Sequence, residues 1–208
     1  RGLGDVYKRQ HWYGGNAGQS CANTVESISK LFGGLKIDGY YAIPMDEIPK
    51  LNHSVGGVTV TLLEDFQDID RQMKKGETLA LSDEQAYHYI HDRYGVGDEK
   101  NTSRMKRQQQ YMEAFFTKAK EKAKSDKAYV SQLFRKFEQT ATTNLTAKKN
   151  SGLTNRLIKG TQKGFFEIQG TSKIGKALGD GIDHAEFYPD KKSIIDVMTK
   201  IYGLKKRE

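Results

Sequence analysis

Lys75 to Gln110 reads KGETLALSDEQAYHYIHDRYGVGDEKNTSRMKRQQQ, and this stretch sets the fold class of the chain. After Gly76, Thr78 to Leu81 predicts a short strand or extended segment. Ser82-Asp83-Glu84-Gln85 has the S-x-x-Q form of a capping box, which satisfies the orphan N–H groups at a helix start. Ala86, Tyr89 and Ile90 then give that helix its buried stripe. Gly95 to Lys100 predicts a loop. Asn101, Thr102 or Ser103 can cap a longer helix reaching about Lys124, with Met105, Tyr111, Met112 and Phe115 inward.

The alternation continues on both sides. Upstream, Ala22, Val25, Ile28, Leu31 and Phe32 recur at helical spacing, and Gly33-Gly34 supplies a C-cap. Leu35 to Ile43 predicts a strand ended by Pro44, and Met45 to Leu51 a short helix. Val58 to Leu63 is β-branched and follows Gly56-Gly57, so it predicts a strand, whereas Glu64 to Lys75 predicts a polar surface excursion. Downstream, Ala128 to Glu138 predicts an amphipathic helix, Thr140 to Asn150 a loop and Leu153 to Ile158 a short helix. Phe165 to Ile168 and Ala185 to Tyr188 predict strands, and Ser193 to Tyr202 a closing helix. Helices interleaved with short strands predict an α/β domain, α-β-α layered, with a central mixed sheet flanked by helices and incomplete at the N-terminus.

The net charge of +8 selects anionic partners, and 36% hydrophobic content excludes a disordered tail. Cys21 stands alone, which excludes an intramolecular disulfide and a cysteine zinc cluster; its expected role is a small buried helix residue. No apolar run reaches the ~20 residues of a spanning helix. Zinc-hydrolase and nucleotide-loop motifs are absent.

One local conflict stands out. A helix N-terminus carries partial positive charge, yet Arg104, Lys106 and Arg107 crowd the start of the long helix. A docked phosphate or pyrophosphate would resolve this, with N–H groups, dipole and guanidinium forks all facing it. A solvated basic helix start paired with Asp98 and Glu99 would resolve it equally.

Arg1 to Gln10, RGLGDVYKRQ, is similar to the translation of a transposase adapter used for sequencing libraries and is set aside; without it the net charge is +6, from the loss of three cations and one anion. Four pieces follow in order: HWYGG at His11 to Gly15, VGGVTV at Val55 to Val60, KGETLALSDEQAYHYIHDR at Lys75 to Arg93 and NTSRMKRQ at Asn101 to Gln108. Together they resemble the LytR-CpsA-Psr family over roughly His11 to Lys120. HAEFYPD at His184 to Asp190 is similar to the C-terminal extension of some clostridial members. The resemblance divides the chain into the adapter, residues 11–124 as the C-terminal part of the catalytic domain, and residues 125–208 as an extension packed on it.

The resemblance implies a membrane-anchored enzyme on the extracytoplasmic face of the cell membrane. Such enzymes move a glycopolymer of teichoic acid or capsule type from a polyprenyl pyrophosphate carrier onto peptidoglycan, with Mg2+. It also implies an N-terminal membrane helix and metal-binding aspartates upstream of these residues, so no metal ligand is assignable here, and the fragment alone is expected to be inactive and poorly soluble. Family members were once labelled transcriptional attenuators; no nucleic acid partner is expected. Arg93 looks like the second arginine of the family's R-x-R pair, and Arg104 and Gln108 look like the helix residues that contact the same pyrophosphate. Arg107 is also a motif position, either on the substrate or paired with a carboxylate. The first arginine of the pair is His91 here, which offers fewer donors and either assists the substrate or is a locally satisfied histidine.

Other candidates have ordinary readings. His53 is expected to be a local hydrogen-bonder and His88 a packing residue, and His184 is isolated. Asp65, Asp68 and Asp70 lack the rest of a calcium loop and read as a solvated acidic loop. The competing functions are a non-enzymatic binder of anionic polymer or nucleic acid, and an inactive lipid-carrier binder.

Overall fold

The computed structural model describes residues 15–161, 164–176 and 181–203. Arg1 to Gln10 and the HWYG of the upstream piece lie outside the described residues. The chain forms two compact units, one of Arg1–Ala42, Thr142–Leu145 and Phe165–Glu208, the other of Ile43–Ala141 and Thr146–Gly164. Seven helices and three two-stranded antiparallel sheets make up the described elements, in keeping with the α/β class.

In the first unit, α1 (Ala17–Leu31) starts at Asn16, whose side chain accepts from Gln19 N at 2.9 Å. Its apolar stripe and Cys21 are half-buried, and Ala22 is exposed, so the expected burial of Cys21 is incomplete. Of the strand predicted over Leu35 to Ile43 only β1 (Tyr41–Ala42) forms, paired with β4 (Thr142–Thr143). A hairpin of β5 (Gly170–Gly175) and β6 (His184–Pro189) follows, then α7 (Lys191–Tyr202), capped by Asp190 and ended by Gly203 in the left-handed region. Phe165 to Ile168 is not a strand: the pairing falls on Gly170–Gly175, because β5 is set by its partner β6 and not by its own small and polar residues.

The second unit holds the core. A 3-10 turn (Met45–Glu47) leads into α2 (Ile48–Ser54), then β2 (Thr59–Thr61) pairs with β3 (Thr78–Ala80). Helix α3 (Asp83–His91) carries the predicted capping box in full, Gln85 N on Ser82 Oγ and Ser82 N on Gln85 Oε1, and buries Ala86, Tyr89 and Ile90 as its spacing requires. Helix α4 (Asn101–Ser125) buries Tyr111, Phe115, Ala119 and Ala123. Met105 is 48% exposed and Met112 half-buried, against the expectation for both; the i, i+4 row from Arg107 through Tyr111 sets the inward face instead. Helix α5 (Tyr129–Lys136) and α6 (Ala147–Lys159) complete the unit. Thr146 caps α6 by accepting from Lys149 N, so the helix begins inside the stretch predicted as loop.

Two side chains bind this unit together. Asn52, wholly buried, donates to the Leu81 carbonyl (3.0 Å) and Asp83 Oδ1 (2.9 Å) and accepts from Val58 N (2.9 Å) and the Tyr111 hydroxyl (3.3 Å). The Tyr89 hydroxyl donates to Gln110 Oε1 at 2.5 Å, while Gln110 Nε2 donates to the Thr61 carbonyl at 2.9 Å. The excursion from Glu64 to Lys75 is not wholly a surface feature. Phe66 and Met73 turn into the core, joined by Phe66 N on the Met73 carbonyl at 2.9 Å, and Phe66 packs on Tyr89 with ring centroids 5.6 Å apart.

Candidate functional site

The end of α3 and the start of α4 meet through side chains of α4. A helix leaves its last carbonyls without partners inside the helix. Gln108 Nε2 donates to the Ile90 carbonyl at 2.9 Å, Arg104 Nη1 to the His91 carbonyl at 3.4 Å, and Arg107 Nη2 to the Asp92 carbonyl. Arg104 and Arg107 therefore face the negative end of α3, not the carboxylates of Asp98 and Glu99. Asp98 accepts from Lys100 N (3.0 Å) and Glu99 from Gly95 N (2.8 Å).

Much donor capacity stays unused. The buried Nε groups of Arg93 and Arg104, and Nε and Nη1 of Arg107, have no hydrogen-bond partner. No side chain caps the start of α4, although three candidates stand there; Asn101 instead accepts from Arg104 Nη2 at 2.7 Å. Arg93 lies over the Tyr94 ring, Cζ 4.3 Å from its centroid, and donates to the Tyr94 hydroxyl. Unpaired buried N–H groups are costly, so guanidinium groups left this way at one helix junction are poised for an acceptor.

Arg107 differs from the other two. It is 1% exposed, with Cζ 4.9 Å from the Phe66 ring and 5.9 Å from the Tyr89 ring. Its Nε lies 2.9 Å from Glu64 Oε2, an ion pair without hydrogen-bond alignment. Burial pulls its pKa below the ordinary arginine value against the opposing pull of Glu64, and burial pushes the neighbouring Tyr89 up to about 12. Glu64 was not singled out by sequence reasoning. The signal was present: with Val58, Val60 and Leu62 inward at period two, Glu64 falls on the same face.

His91 and His88 share Asp92. Both Nδ1 atoms lie 2.7 Å from its carboxylate, and His91 stacks on Tyr87 with centroids 4.7 Å apart. Burial would raise the Asp92 pKa, but hydrogen bonds from His91 and His88 hold it below the usual carboxylate range. His88 is thus more than a packing residue. His53 is the local hydrogen-bonder expected, Nδ1 3.2 Å from Asp83. In the acidic loop, Asp65 accepts from Lys75 N and Asp70 from Gln72 N and Gln85 Nε2. Among the described residues no group of three or more His, Cys, Asp or Glu side chains could hold a metal ion. No described helix is long and apolar enough to cross a membrane.

The sequence profile described as the LytR_cpsA_psr family matches residues 8–201. The chain belongs to the LytR_cpsA_psr family. No curated protein matches it. Among solved structures it is similar to the Lin1025 protein of Listeria innocua, at TM-score 0.65 and 21% identity over 90% of this chain and 76% of that one. It is also similar to B. subtilis TagV, at TM-score 0.66 and 21% identity over 88% of this chain and 69% of that one. TagT, solved bound to LI-WTA, matches at TM-score 0.64 and 20% identity over 95% of this chain and 70% of that one. At these identities the likeness is one of fold. Membership in the LytR_cpsA_psr family carries the family's general role, work on cell-wall glycopolymers in the cell envelope.

Proposed function

We propose that the chain is part of a phosphotransferase that moves a polyprenyl-pyrophosphate-linked glycopolymer onto peptidoglycan. The carrying observation is the set of unpaired guanidinium donors of Arg93 and Arg104 at the α3–α4 junction. Together with Gln108, one helical turn from Arg104, they supply the charge and donors that a pyrophosphate needs. The fold shared with TagT, a structure bound to LI-WTA, supports the same reading.

In the reaction proposed, a peptidoglycan hydroxyl attacks the phosphorus next to the glycopolymer. The bond from that phosphorus to the bridging oxygen breaks, polyprenyl phosphate leaves with the electron pair, and the hydroxyl proton passes to solvent or to the leaving phosphate. A phosphodiester remains. Arg93 and Arg104 neutralise charge on the leaving phosphate, Gln108 orients it, and His91 adds a donor beside them. Binding would draw Arg104 and Gln108 away from the α3 carbonyls that they hold without ligand. Arg107, pinned beneath by Glu64, acts by keeping Asp92 and the α3 end in place.

The test is binding of a short polyprenyl pyrophosphate by the chain extended upstream, beside Arg104→Ala, with and without magnesium. Binding weakened at least tenfold in the variant is the expected result. Equal binding by both proteins, or by neither, would overturn the site.

A further inference from the structure

A groove of about 490 Å³ runs between the C-terminal half of α4 and the end of α6, away from the α3–α4 junction. Its apolar surface includes Phe116, which is 42% exposed, and Leu157. Around it stand Lys120 and Lys124 from α4 and Arg156 from α6, with Glu121 as the one carboxylate among the lining residues. Lys120 donates to the Gly160 carbonyl, which fixes it at the mouth. Lys124 and Arg156 make no ion pair among the described residues. The groove lies on the same helix as Arg104, about 24 Å farther along at 1.5 Å per residue.

We infer that this groove binds a phosphate-bearing glycopolymer, as a second anion site distinct from the pyrophosphate clamp. This rests on the glycopolymer reading proposed above. Lys120 and Lys124 stand one helical turn apart, about 6 Å, close to the repeat of charge along a sugar– or glycerol–phosphate chain. Arg156 faces them from the other helix. Phe116 offers an aromatic face of the kind that sugar rings pack on, and Glu121 accepts hydrogen bonds from hydroxyls. A carboxylate in the lining disfavours a ligand that is only a dense line of phosphates and favours one that carries hydroxyls between them.

The experiment titrates the chain with soluble poly(glycerol phosphate), and separately with a thymidine oligonucleotide of equal charge and with neutral dextran. The protein variants are Lys124→Ala/Arg156→Ala, Lys124→Arg and Arg104→Ala, each checked for an unchanged thermal transition. Lys120 is left in place because it holds the Gly160 carbonyl. Poly(glycerol phosphate) should bind and weaken on the order of 20-fold between 50 and 200 mM salt if about three phosphates are neutralised. The double variant should weaken binding on the order of tenfold and flatten that salt dependence, while Lys124→Arg should leave both unchanged. Equal binding by wild type and double variant, tighter binding of the oligonucleotide, or loss of polymer binding in Arg104→Ala would overturn the inference. The last result would place the polymer at the clamp and leave the proposed function standing; failure of the carrier to bind in the earlier assay would strike the function itself.

Discussion

Arg107→Ala removes a guanidinium that is 1% exposed and leaves four neighbours deprived. The Glu64 carboxylate, only 11% exposed, loses its counter-charge. The Asp92 carbonyl loses its donor, and a cavity opens against Phe66 and Tyr89. Removing one partner of a buried pair costs about 3–5 kcal/mol, and the unpaired carbonyl and cavity act in the same direction, so the expected loss is about 4 kcal/mol. That is a large part of the stability of a domain of this size. Glu64→Ala in the same protein should recover some of it, because the stranded carboxylate is then gone; the coupling should be about 1–3 kcal/mol. Urea unfolding followed by far-ultraviolet circular dichroism measures all three proteins. Arg104→Ala, whose hydrogen bonds are exposed, should cost less than about 1 kcal/mol in the same assay. An Arg107→Ala protein as stable as wild type that fails to bind polyprenyl pyrophosphate would refute this reasoning and make Arg107 a ligand residue.

Three further outcomes follow from the same packing. Asn52→Ala breaks four hydrogen bonds inside the core and should lower stability by about 3 kcal/mol or more in urea unfolding, with Asn52→Asp unable to restore it because the donors to Leu81 and Asp83 are lost. Gly97 has φ +55° and its missing Cβ would collide with the Glu64 carboxylate, so Gly97→Ala should cost about 1–3 kcal/mol; the loss should shrink in an Arg107→Ala background, where Glu64 has no pair to protect. Asp92, held below the usual carboxylate range by His91 and His88, contributes stability that is full above the unfolded value near 3.9 and is lost as pH falls through its lower folded value. Thermal melts from pH 6 down to about 2 should therefore fall less steeply below about pH 4 in Asp92→Asn than in wild type, and parallel curves would sink the claim.

The helices were legible wherever local chemistry and burial agree. Ser82 and Gln85 name the start of α3, and Ala86, Tyr89 and Ile90 name its inner face. Legibility failed where a distant partner decides. Tyr41–Ala42 is a strand because Thr142–Thr143 lies beside it, and Gly170–Gly175 because His184–Pro189 does; neither segment has a strong period of its own. Phe66 and Met73 looked like surface because their neighbours are polar, yet both are buried in a loop closed by backbone hydrogen bonds, Phe66 N to the Met73 carbonyl among them. At the site, the crowding of cations at the α4 start was readable as a conflict. That α3 carbonyls would meet those cations was not, because the meeting depends on how the Gly95 to Lys100 loop folds back.

The pairing of Tyr41 with Thr143 also bears on how the chain reaches its fold. Two residues on each side close a loop of about a hundred residues, which in a free chain costs about 4 kcal/mol of closure entropy. The register Tyr41↔Thr143 and Ala42↔Thr142 makes too few contacts to offset that alone. The core around Asn52, with its local helices, must therefore fold first and shorten the effective loop, so that β1 and β4 pair late.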